Sequence, residues 1–353
     1  MAGYYFNLPQ ITQLTIPQQA ALYETKQIAL SGGPGTGKSV VSLWRHISNY
    51  QRGKRSLLLT YTTTLARYLQ ACCVGQNKNA ANNVKTSLRG KPNQRNSNGL
   101  DEIIVDEAQD LPIGYYSDIK SIANVSYGAD DSQILYPNNC CTQVELKTLF
   151  PSNVDYVLDK NFRSTQRIMK FAKQAFPDAY IPQSTINGLA YNLGELPIML
   201  ISGNNLWNDE TGKYNVSNDK QDKSIIDIVN SFRSDTHNIA ILVPWRNDAS
   251  VFETVLVNNN IADFSIYYED RVRFPNGCED IKNVHITTFK SAKGLEFDTV
   301  IIPNFHKFPE ICGRFNIEWQ DFYVGATRAR SNLYLISNND MPHLNSVTDK
   351  SII

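Results

Sequence analysis

The stretch Ser31-Gly32-Gly33-Pro34-Gly35-Thr36-Gly37-Lys38-Ser39 decides the fold. It matches the pattern GxxxxGK[ST], whose glycines let backbone N–H groups wrap phosphates. The run before it, residues 27–30, predicts a strand, and residues 38–44 predict a helix whose N-terminus adds a positive dipole end. These features predict an α/β domain that binds ATP or GTP. The residues expected to line the nucleotide are Gly32, Gly33, Pro34, Gly35, Thr36, Gly37, Lys38 and Ser39.

Two carboxylates follow a second predicted strand, residues 103–105. Asp106 and Glu107 come directly after the last residue of that strand. We expect Lys38 to reach the β- and γ-phosphates, and Ser39 and Asp106 to hold Mg²⁺. Glu107 is placed to polarise the attacking water. A chance match in a glycine-rich turn is the alternative, and it is disfavoured because the acid pair has a strand pattern of its own.

Composition and charge favour a soluble enzyme of about two domains. In the 353 residues, 34 Lys plus Arg balance 34 Asp plus Glu, so a nucleic-acid site must be a local groove. No apolar run approaches the ~18 residues of a membrane span, and the first residues do not resemble a signal peptide. We therefore expect a cytoplasmic protein with no membrane partner. The six cysteines form no CxxC pair, which favours reduced thiols over a metal cluster or disulfides.

Further motifs follow one another along nearly the whole chain. They are LTIPQQAAL at residues 14–22, LLLTYTTTLA at 57–66, DEAQD at 106–110, DDSQ at 130–133, NFRS at 161–164, TFKSAKGLEF at 288–297 and YVGATRAR at 323–330. With the phosphate loop, they resemble, in order, the Q motif and motifs Ia, II, III, IV, V and VI of superfamily 1 helicases. The spelling of motif II resembles the UvrD/Rep branch of that superfamily.

The resemblance implies roles for residues outside the phosphate loop. Gln18 would read the adenine edge, Phe162 would stack on adenine and Glu296 would bind the ribose. Ordinary core packing is the alternative for Phe162. One further residue would sense the γ-phosphate, and two arginines would stabilise charge in the transition state, with surface ion pairs as the alternative for both arginines. These three residues are Gln133, Arg163 and Arg328.

The distribution of apolar runs predicts two lobes. Runs of this kind are typical of parallel strands buried on both faces. The second lobe repeats the strand and helix alternation of the first, with runs at 197–201, 239–243, 285–288, 300–302 and 333–336. We predict an α/β fold of two tandem RecA-like P-loop NTPase domains with parallel sheets and with ATP in the cleft between them. Residues 1–157 would carry the motifs through III, and residues 158–353 would carry motifs IV, V and VI.

The chain departs from the resembled family in its insertions and in motif III. The family has two large insertions, whereas residues 76–99 predict an exposed loop and only about 38 residues separate Arg246 from Val284. This spacing predicts a near-minimal motor core. Pro137-Asn138-Asn139 stand where the family has a base-stacking tryptophan, which argues against base-by-base stepping. The polar segment 203–223 predicts a surface insertion.

Contacts with a single strand are expected from a stacking side chain and from phosphate-binding groups. Tyr61 ends the strand of motif Ia where the family has an aromatic, and Lys290 stands where the family often has histidine. Core packing is the alternative for Tyr61. Trp245 and Arg246 are candidates for a second platform, with half-buried packing as the alternative. The expected contact residues are Thr60, Tyr61, Thr86, Thr288 and Lys290.

Two functions from different classes fit these features. The first is an ATP- and Mg²⁺-dependent single-stranded nucleic-acid translocase or helicase. By resemblance it acts on DNA, with RNA as the alternative, moves 3′ to 5′ and serves DNA repair or defence against foreign DNA. The second is a nucleic-acid-stimulated ATPase switch that regulates a partner such as a nuclease subunit without unwinding, and the missing insertions favour it. A small-molecule kinase is disfavoured because it gives no reason for two arginine-bearing motifs in a second lobe.

Overall fold

The computed structural model of this chain describes residues 8–92, 99–179, 181, 183–189, 192–203, 207–208, 213–214, 219–267, 281–314 and 317–353. The chain divides into two compact units. The first unit ends at Phe162, and the second runs from Arg163 to Ile353. Each unit contains one large sheet, and motifs through III lie in the first unit whereas motifs V and VI lie in the second.

The first unit has a six-stranded sheet in which every pairing is parallel. Its strands are β1 (Ile28–Ser31), β2 (Ser56–Thr60), β3 (Val84–Thr86), β4 (Glu102–Val105), β5 (Asn124–Ala129) and β6 (Val154–Val157). The order across the sheet is β3-β2-β4-β5-β1-β6. The central strands are buried along nearly their whole length, as expected for a parallel sheet covered on both faces. Because β4, β5 and β1 are neighbours, the segments that follow them meet at one edge of the sheet.

One helix precedes β1, and the others connect the strands. They are α1 (Ile16–Tyr23), α2 (Lys38–Gln51), α3 (Thr63–Val74), α4 (Lys78–Ala81), α5 (Ile113–Ile119) and α6 (Gln143–Leu149). Thr62 and Thr142 cap α3 and α6 by accepting backbone N–H groups through their hydroxyls, which satisfies donors that a helix start leaves unpaired. On one side of the sheet, Leu43 and Ile47 of α2 pack in one apolar core with Leu58 and Leu69.

The expectation of an exposed loop over residues 76–99 is wrong for its first part. This part contains α4 and β3, and β3 is the edge strand beside β2. Ala80, Ala81 and Val84 are buried in the core of the first unit. These three apolar residues stand among asparagines and lysines, which is too weak a pattern to predict a helix and a strand. In the folded chain they are enough to pack both elements against the core. Residues 93–98 lie outside the described residues.

The second unit has a seven-stranded sheet whose pairings are all parallel. Its order is β11-β12-β10-β13-β14-β7-β15. The strands are β7 (Ile198–Ile201), β10 (Ile239–Val243), β11 (Ser265–Tyr267), β12 (Val284–Thr288), β13 (Phe297–Ile302), β14 (Ala329–Ser337) and β15 (Asp349–Ile352). A separate antiparallel pair is formed by β8 (Trp207–Asn208) and β9 (Lys213–Tyr214).

The first two described helices of the second unit precede β7, and the others connect the later strands. In chain order the helices are α7 (Gln166–Ala175), α8 (Gln183–Asn187), α9 (Asp219–Phe232), α10 (Arg246–Asn258), α11 (Phe289–Ala292), α12 (Phe308–Ile311) and α13 (Trp319–Ala326). Motif V supplies α11 and motif VI supplies the second half of α13, and the two helices are in contact. The rings of Phe289 and Phe322 lie 4.7 Å apart. A Cβ atom on Gly325 would lie 2.4 Å from Cδ1 of Phe289, so only glycine fits at this position.

Two parallel α/β sheets confirm the predicted fold class, tandem RecA-like P-loop domains. The expectation of a surface insertion over 203–223 is wrong at its end, because residues 219–223 open α9, where Gln221 is buried. The many polar residues of that stretch give no sign that an amphipathic helix begins at its end. Residues 204–206, 209–212 and 215–218 lie outside the described residues.

Candidate nucleotide and nucleic-acid sites

The phosphate loop lies between β1 and α2 in a conformation that requires glycine. Gly35 and Gly37 have φ values of +73° and +87°, in the left-handed region that other residues avoid. A Cβ on Gly32 would lie 2.1 Å from the carbonyl oxygen of Leu158, whereas one on Gly33 would meet no atom within 4 Å. The loop therefore packs tightly against the segment after β6 on one side and keeps open space at Gly33, as a phosphate cradle needs.

Lys38 is buried at the start of α2 and is held by the loop that it follows. Its Nζ donates to the carbonyl oxygens of Gly32 at 2.6 Å and Gly33 at 3.0 Å. The same atom lies 3.6 Å from Oδ2 of Asp130, in motif III. The ammonium group is thus fixed inside the loop, where the predicted phosphates would bind.

The predicted acid pair follows β4, which lies beside β5, and the phosphate loop follows β1 on the other side of β5. A Cβ on Gly128 of β5 would lie 3.5 Å from Cβ of Lys38 and 3.6 Å from Oδ1 of Asp106, so the lysine and the carboxylate flank one point of the sheet. Glu107 is buried, and its φ of +56° is a conformation rare for residues other than glycine. Such backbone strain is common at functional sites, where it aims a side chain.

The residues present fit a magnesium ion carried by a nucleotide. Mg²⁺ prefers oxygen donors and is usually held by one or two protein groups together with substrate phosphates and water. Ser39 and Asp106 supply a hydroxyl and a carboxylate, and Asp106 is buried beside the phosphate loop. Within the described ranges, no cluster of three or more His, Cys, Asp or Glu side chains forms a cage for a metal ion. This donor set suits a shared ion and not a protein-only metal site.

A hydrogen-bond chain connects motif II with motif III. Nε2 of Gln109 donates to Oε2 of Glu107 at 2.7 Å, and Oε1 of Gln109 accepts the backbone N–H of Asp130 at 3.1 Å. Nε2 of Gln133 in turn donates to Oδ2 of Asp130. All four side chains are buried. The predicted base Glu107 and the predicted sensor Gln133 are therefore brought into one network that also reaches Lys38.

Gln18 supports the phosphate loop from α1. Its Oε1 accepts the backbone N–H of Thr15 at 2.8 Å, and its Nε2 donates to the carbonyl oxygen of Thr36 at 2.9 Å. The side chain is buried, and a Cβ on Gly37 would lie 2.4 Å from its Nε2. The structure places Gln18 under the loop, and its contact with adenine stays a prediction.

Phe162 lies beside the phosphate loop with an exposed ring. Its backbone N–H donates to the carbonyl oxygen of Gly35 at 2.9 Å, and 45% of the residue is exposed. Nζ of Lys160 lies 5.2 Å from the centre of the ring. An exposed aromatic ring next to the loop does not fit core packing, and it is available for stacking on a base.

The two predicted arginine fingers are both engaged within the second unit. Nε of Arg163 donates to Oε1 of Glu296 at 2.9 Å. Burial alone would raise the pKa of the Glu296 carboxyl, but the charges of Arg163, Arg330 and Arg328 together outweigh it and lower that pKa. Arg328 is fully buried, and its Nε donates to the carbonyl oxygen of Val324 at 3.0 Å. Because Arg328 is buried, the alternative of a surface arginine in an ion pair does not apply to it. The roles of Arg163, Arg328 and Glu296 at a nucleotide stay predictions.

The three predicted threonine contacts are buried. Thr60 is fully buried at the end of β2. The Thr86 hydroxyl accepts the backbone N–H of Arg89 at 3.4 Å, and the Thr288 hydroxyl accepts that of Ser291 at 3.2 Å and so caps α11. These hydroxyls shape the backbone at strand ends, and direct phosphate contacts by them stay predictions.

Tyr61 forms an aromatic pair with Tyr136. The ring centres lie 4.9 Å apart with planes inclined by 43°, and both residues are partly exposed. Tyr136 follows motif III and directly precedes the segment in which the expected tryptophan is missing. The pair offers an aromatic surface at the end of β2. Trp245 is half-buried at the N-terminus of α10, next to the exposed Arg246.

Lys290 of motif V belongs to a charge pair. Its Nζ lies 3.8 Å from Oδ1 of Asp321 in α13, and 23% of its side chain is exposed. Sequence reasoning assigned no role to four residues that the structure brings into these sites. Three of them lie in or shortly after a motif that follows a buried strand, and this position could have marked them as candidates. The fourth lies in α13, where no sequence pattern marks it. The four residues are Gln109, Asp130, Tyr136 and Asp321.

Comparisons with known proteins agree with the motifs. Residues 273–340 match the family model of the UvrD-like helicase C-terminal domain. A stretch of 77 residues is 32% identical to the RecBCD enzyme subunit RecB of Chlamydia pneumoniae. That stretch covers 22% of this chain, and the chain spans 7% of the length of this relative.

Solved helicase structures also show similarity. The Pif1 helicase from Candida albicans has a TM-score of 0.47 and 12% identity, covering 95% of this chain and 98% of that one. The Arterivirus nonstructural protein 10 (helicase) has a TM-score of 0.43 and 14% identity, covering 96% and 65%. No helix of the described residues combines the length and the apolar character needed to cross a membrane.

The parallel sheets and the loop around Lys38 define a P-loop nucleoside-triphosphatase built from RecA-like units. Within this class, the motif series resembles the UvrD/Rep branch of the superfamily 1 helicases, and residues 273–340 match the UvrD-like helicase C-terminal domain. Proteins of this type hydrolyse ATP.

Proposed function

We propose that the chain is an ATP-dependent translocase or helicase acting on single-stranded nucleic acid, with hydrolysis at the edge of the first sheet. One observation carries this proposal: Lys38, Asp106, Glu107, Gln109 and Asp130, from three motifs, form one buried cluster around the phosphate loop. A lysine held inside the loop beside carboxylates from two strand ends is the arrangement expected of a phosphate-binding site, because burying such charges has a cost in stability.

The chemistry of phosphoryl transfer suits these residues. Lys38 would stabilise the charge of the β- and γ-phosphates, and Glu107, oriented by Gln109, would align and polarise the attacking water. Mg²⁺, held by Ser39 and Asp106 with the phosphates, would neutralise developing charge. We propose Arg163 and Arg328 as the arginines of the transition state, and residues 1–157 and 158–353 as the two RecA-like domains.

Nucleic-acid binding is proposed on the aromatic pair Tyr61 and Tyr136 and on Lys290. Stacking of a base on an aromatic ring contributes about 1 to 3 kcal/mol, and a lysine adds sequence-independent attraction to phosphate. We favour single-stranded DNA and 3′ to 5′ movement, with a role in DNA repair or defence against foreign DNA. A cytoplasmic location is proposed, which fits the free cysteines of the described part of the chain.

The deciding experiment is steady-state ATP hydrolysis by the purified chain, alone and with single-stranded DNA, single-stranded RNA or duplex. Glu107→Gln serves as the blank, because it keeps the side-chain shape and removes the base. Lys38→Ala should lose ATP binding, measured with a fluorescent nucleotide. Stimulation by one single strand supports the motor and identifies its track, whereas normal turnover by Glu107→Gln contradicts the assigned base.

Polarity is tested with streptavidin bound to either end of a biotinylated strand. A motor that moves 3′ to 5′ displaces streptavidin from the 5′ end only, in the presence of ATP. Displacement from the 3′ end only would reverse the proposed direction.

A second function is favoured by one observation. Pro137, Asn138 and Asn139 form a short 3-10 turn where the family has a stacking tryptophan, and none of these three residues is aromatic. The chain is then an ATPase switch that binds nucleic acid and regulates a partner such as a nuclease subunit. The similarity to a protein named as a subunit of the RecBCD enzyme supports this reading. Unwinding of a tailed duplex by the purified chain would exclude the switch.

A further inference from the structure

Asp321 lies in the first turn of α13, the helix that carries the first half of motif VI, and it is fully buried. Its Oδ2 accepts the backbone N–H of Glu318 at 2.8 Å and so closes the N-terminus of the helix. Its Oδ1 lies 3.8 Å from Nζ of Lys290 and has no hydrogen-bond partner in the part of the chain that the structure describes. One carboxylate oxygen therefore caps the helix, and the other faces a lysine.

The geometry of this pair keeps the lysine able to respond to a ligand. At 3.8 Å, Asp321 attracts Lys290 by charge without a direct hydrogen bond, and part of the lysine side chain is exposed. A partly exposed ammonium can turn towards a phosphate, whereas the buried carboxylate cannot follow. Any gain from a phosphate contact is then reduced by the charge that remains behind the lysine.

The surrounding packing fixes Asp321 in this position. Phe289, the neighbour of Lys290 in α11, packs on Phe322, the neighbour of Asp321 in α13, and against Gly325. These contacts fix the distance between α11 and α13, so the carboxylate of Asp321 stays close to Lys290.

We infer that Asp321 is a positioning residue that competes with a nucleic-acid phosphate for Lys290 and thereby sets how tightly the chain holds a strand. The inference rests on the proposed contact between Lys290 and nucleic acid. The partner chemistry is the phosphodiester backbone of a single strand, independent of its base sequence.

The charge of Asp321 is itself adjustable. Burial raises the pKa of its carboxyl to about 6, Lys290 and, more weakly, Lys293 oppose this rise, and the carboxylate of Glu318 adds to it. The Cys312 thiol also faces this region, and it stays neutral because burial, with Asp321 and Glu318, raises its pKa to about 12. When the pH falls through about 6, Asp321 takes up a proton and stops competing for Lys290, so the strand should bind more tightly.

The test measures the Kd of a fluorescent single-stranded oligonucleotide by anisotropy, from about pH 5 to about pH 8. The variants are Asp321→Asn, Lys290→Ala and the double variant. Asparagine keeps an oxygen that can accept the Glu318 N–H, so the helix cap is retained. Glu310→Gln is the matched control, because Glu310 also pairs with a lysine of the second unit, Lys307, at 3.1 Å.

We expect Asp321→Asn to bind about 3- to 10-fold more tightly than the wild type near neutral pH. Its plot of log Kd against log salt should be steeper by up to about 0.7, the contribution of one phosphate contact on a single strand. The wild type should approach the affinity of Asp321→Asn as the pH falls through about 6. Glu310→Gln should stay within about twofold of the wild type.

Several outcomes would overturn the inference. One is weaker or unchanged binding by Asp321→Asn, and another is an equal effect of that change when Lys290 is already alanine. If Asp321→Asn does not fold, the wild type decides: its binding must tighten at low pH, and Lys290→Ala must lose that tightening. A wild type that binds no single strand at any pH refutes the proposed nucleic-acid function, whereas one that binds without these differences refutes only the role of Asp321.

Discussion

The amide of Gln109 bridges the carboxylate of Glu107 and the backbone N–H of Asp130. It donates to Oε2 of Glu107 at 2.7 Å and accepts from Asp130 at 3.1 Å. Because an amide has a donor end and an acceptor end, only one orientation satisfies both contacts. The orientation of the glutamate is therefore linked to the start of motif III.

Replacing Gln109 with alanine should lower kcat for ATP hydrolysis by about 10- to 100-fold with a small effect on KM. Glu107 would keep its charge and lose the group that aims it. The measurement is steady-state ATPase activity over a range of ATP concentrations. Gln76→Ala, which changes an exposed glutamine of the same unit, is the control. An unchanged kcat would show that the backbone of Glu107 alone aims the carboxylate.

Replacing Tyr61 or Tyr136 with alanine should weaken single-strand binding by about 1 to 3 kcal/mol each and leave ATPase activity without nucleic acid intact. The double variant should lose less than the sum, because each ring supports the other at 4.9 Å. Fluorescence anisotropy gives the affinities. Tyr23→Ala, at an exposed tyrosine of α1, should bind like the wild type. Additive losses would mean that the two rings bind separately.

The buried pair of Arg45 and Glu102 should matter for stability and not for catalysis. Nε of Arg45 donates to Oε1 of Glu102 at 2.8 Å, and Asn49 donates to the other oxygen at 2.6 Å, below the sheet edge opposite the phosphate loop. Glu102→Ala should lower the free energy of unfolding of the first unit by about 3 to 5 kcal/mol, because Arg45 keeps a buried, unbalanced charge.

Urea denaturation followed by circular dichroism measures this loss. The exposed pair of Lys147 and Asp155, with the same type of contact at 3.0 Å, is the control, and Lys147→Ala should cost less than about 1 kcal/mol. Similar losses in both variants would contradict the importance of burial.

His46 should make the first unit less stable in acid. It is fully buried, with Nε2 at 2.9 Å from the Ala80 carbonyl oxygen and Nδ1 at 2.8 Å from the Ser56 hydroxyl, and burial lowers its pKa to about 4. The unfolded chain binds the proton near the ordinary pKa of about 6.5. The stabilisation is therefore complete above about pH 6.5 and is lost as the pH falls towards about 4.

Between about pH 7.5 and about pH 5, His46 should account for about 2 kcal/mol of lost stability. Replacing it with glutamine should remove this share of the pH dependence, measured as the difference between urea titrations at the two pH values. His285 and His306 of the second unit keep their own acid sensitivity, since burial also lowers their pKa values to about 4. A wild-type profile in His46→Gln would contradict the prediction.

Strands with long apolar runs could be located from the sequence because their burial leaves a plain pattern. Residues 239–243 coincide with β10, and residues 103–105 lie inside β4. The phosphate loop could also be recognised from the sequence, because the spacing of its glycines, lysine and hydroxyl residue follows from the geometry of a bound phosphate. By contrast, Ala80 and Val84 pack α4 and β3 with too few apolar groups to be visible without their neighbours.

Pairings between distant side chains could not be predicted, because they depend on strand order. The hydrogen bond that Asp130 donates to Gln109 exists because β4 and β5 are neighbours, and no spacing within either motif reveals that. The pair of Lys290 and Asp321 likewise depends on how α11 and α13 pack. Sequence motifs identify chemical groups, and the sheet determines which of them meet.

The contact of Gly325 with Phe289 has a consequence for the history of the sequence. A methyl group at position 325 would overlap the ring of Phe289, so the size of one residue limits the size of the other. In related chains, a larger residue at the position of Gly325 should accompany a smaller one at the position of Phe289. The glycine of motif VI would then be inherited together with its aromatic neighbour as one steric unit, even where the chemistry of the motif has changed.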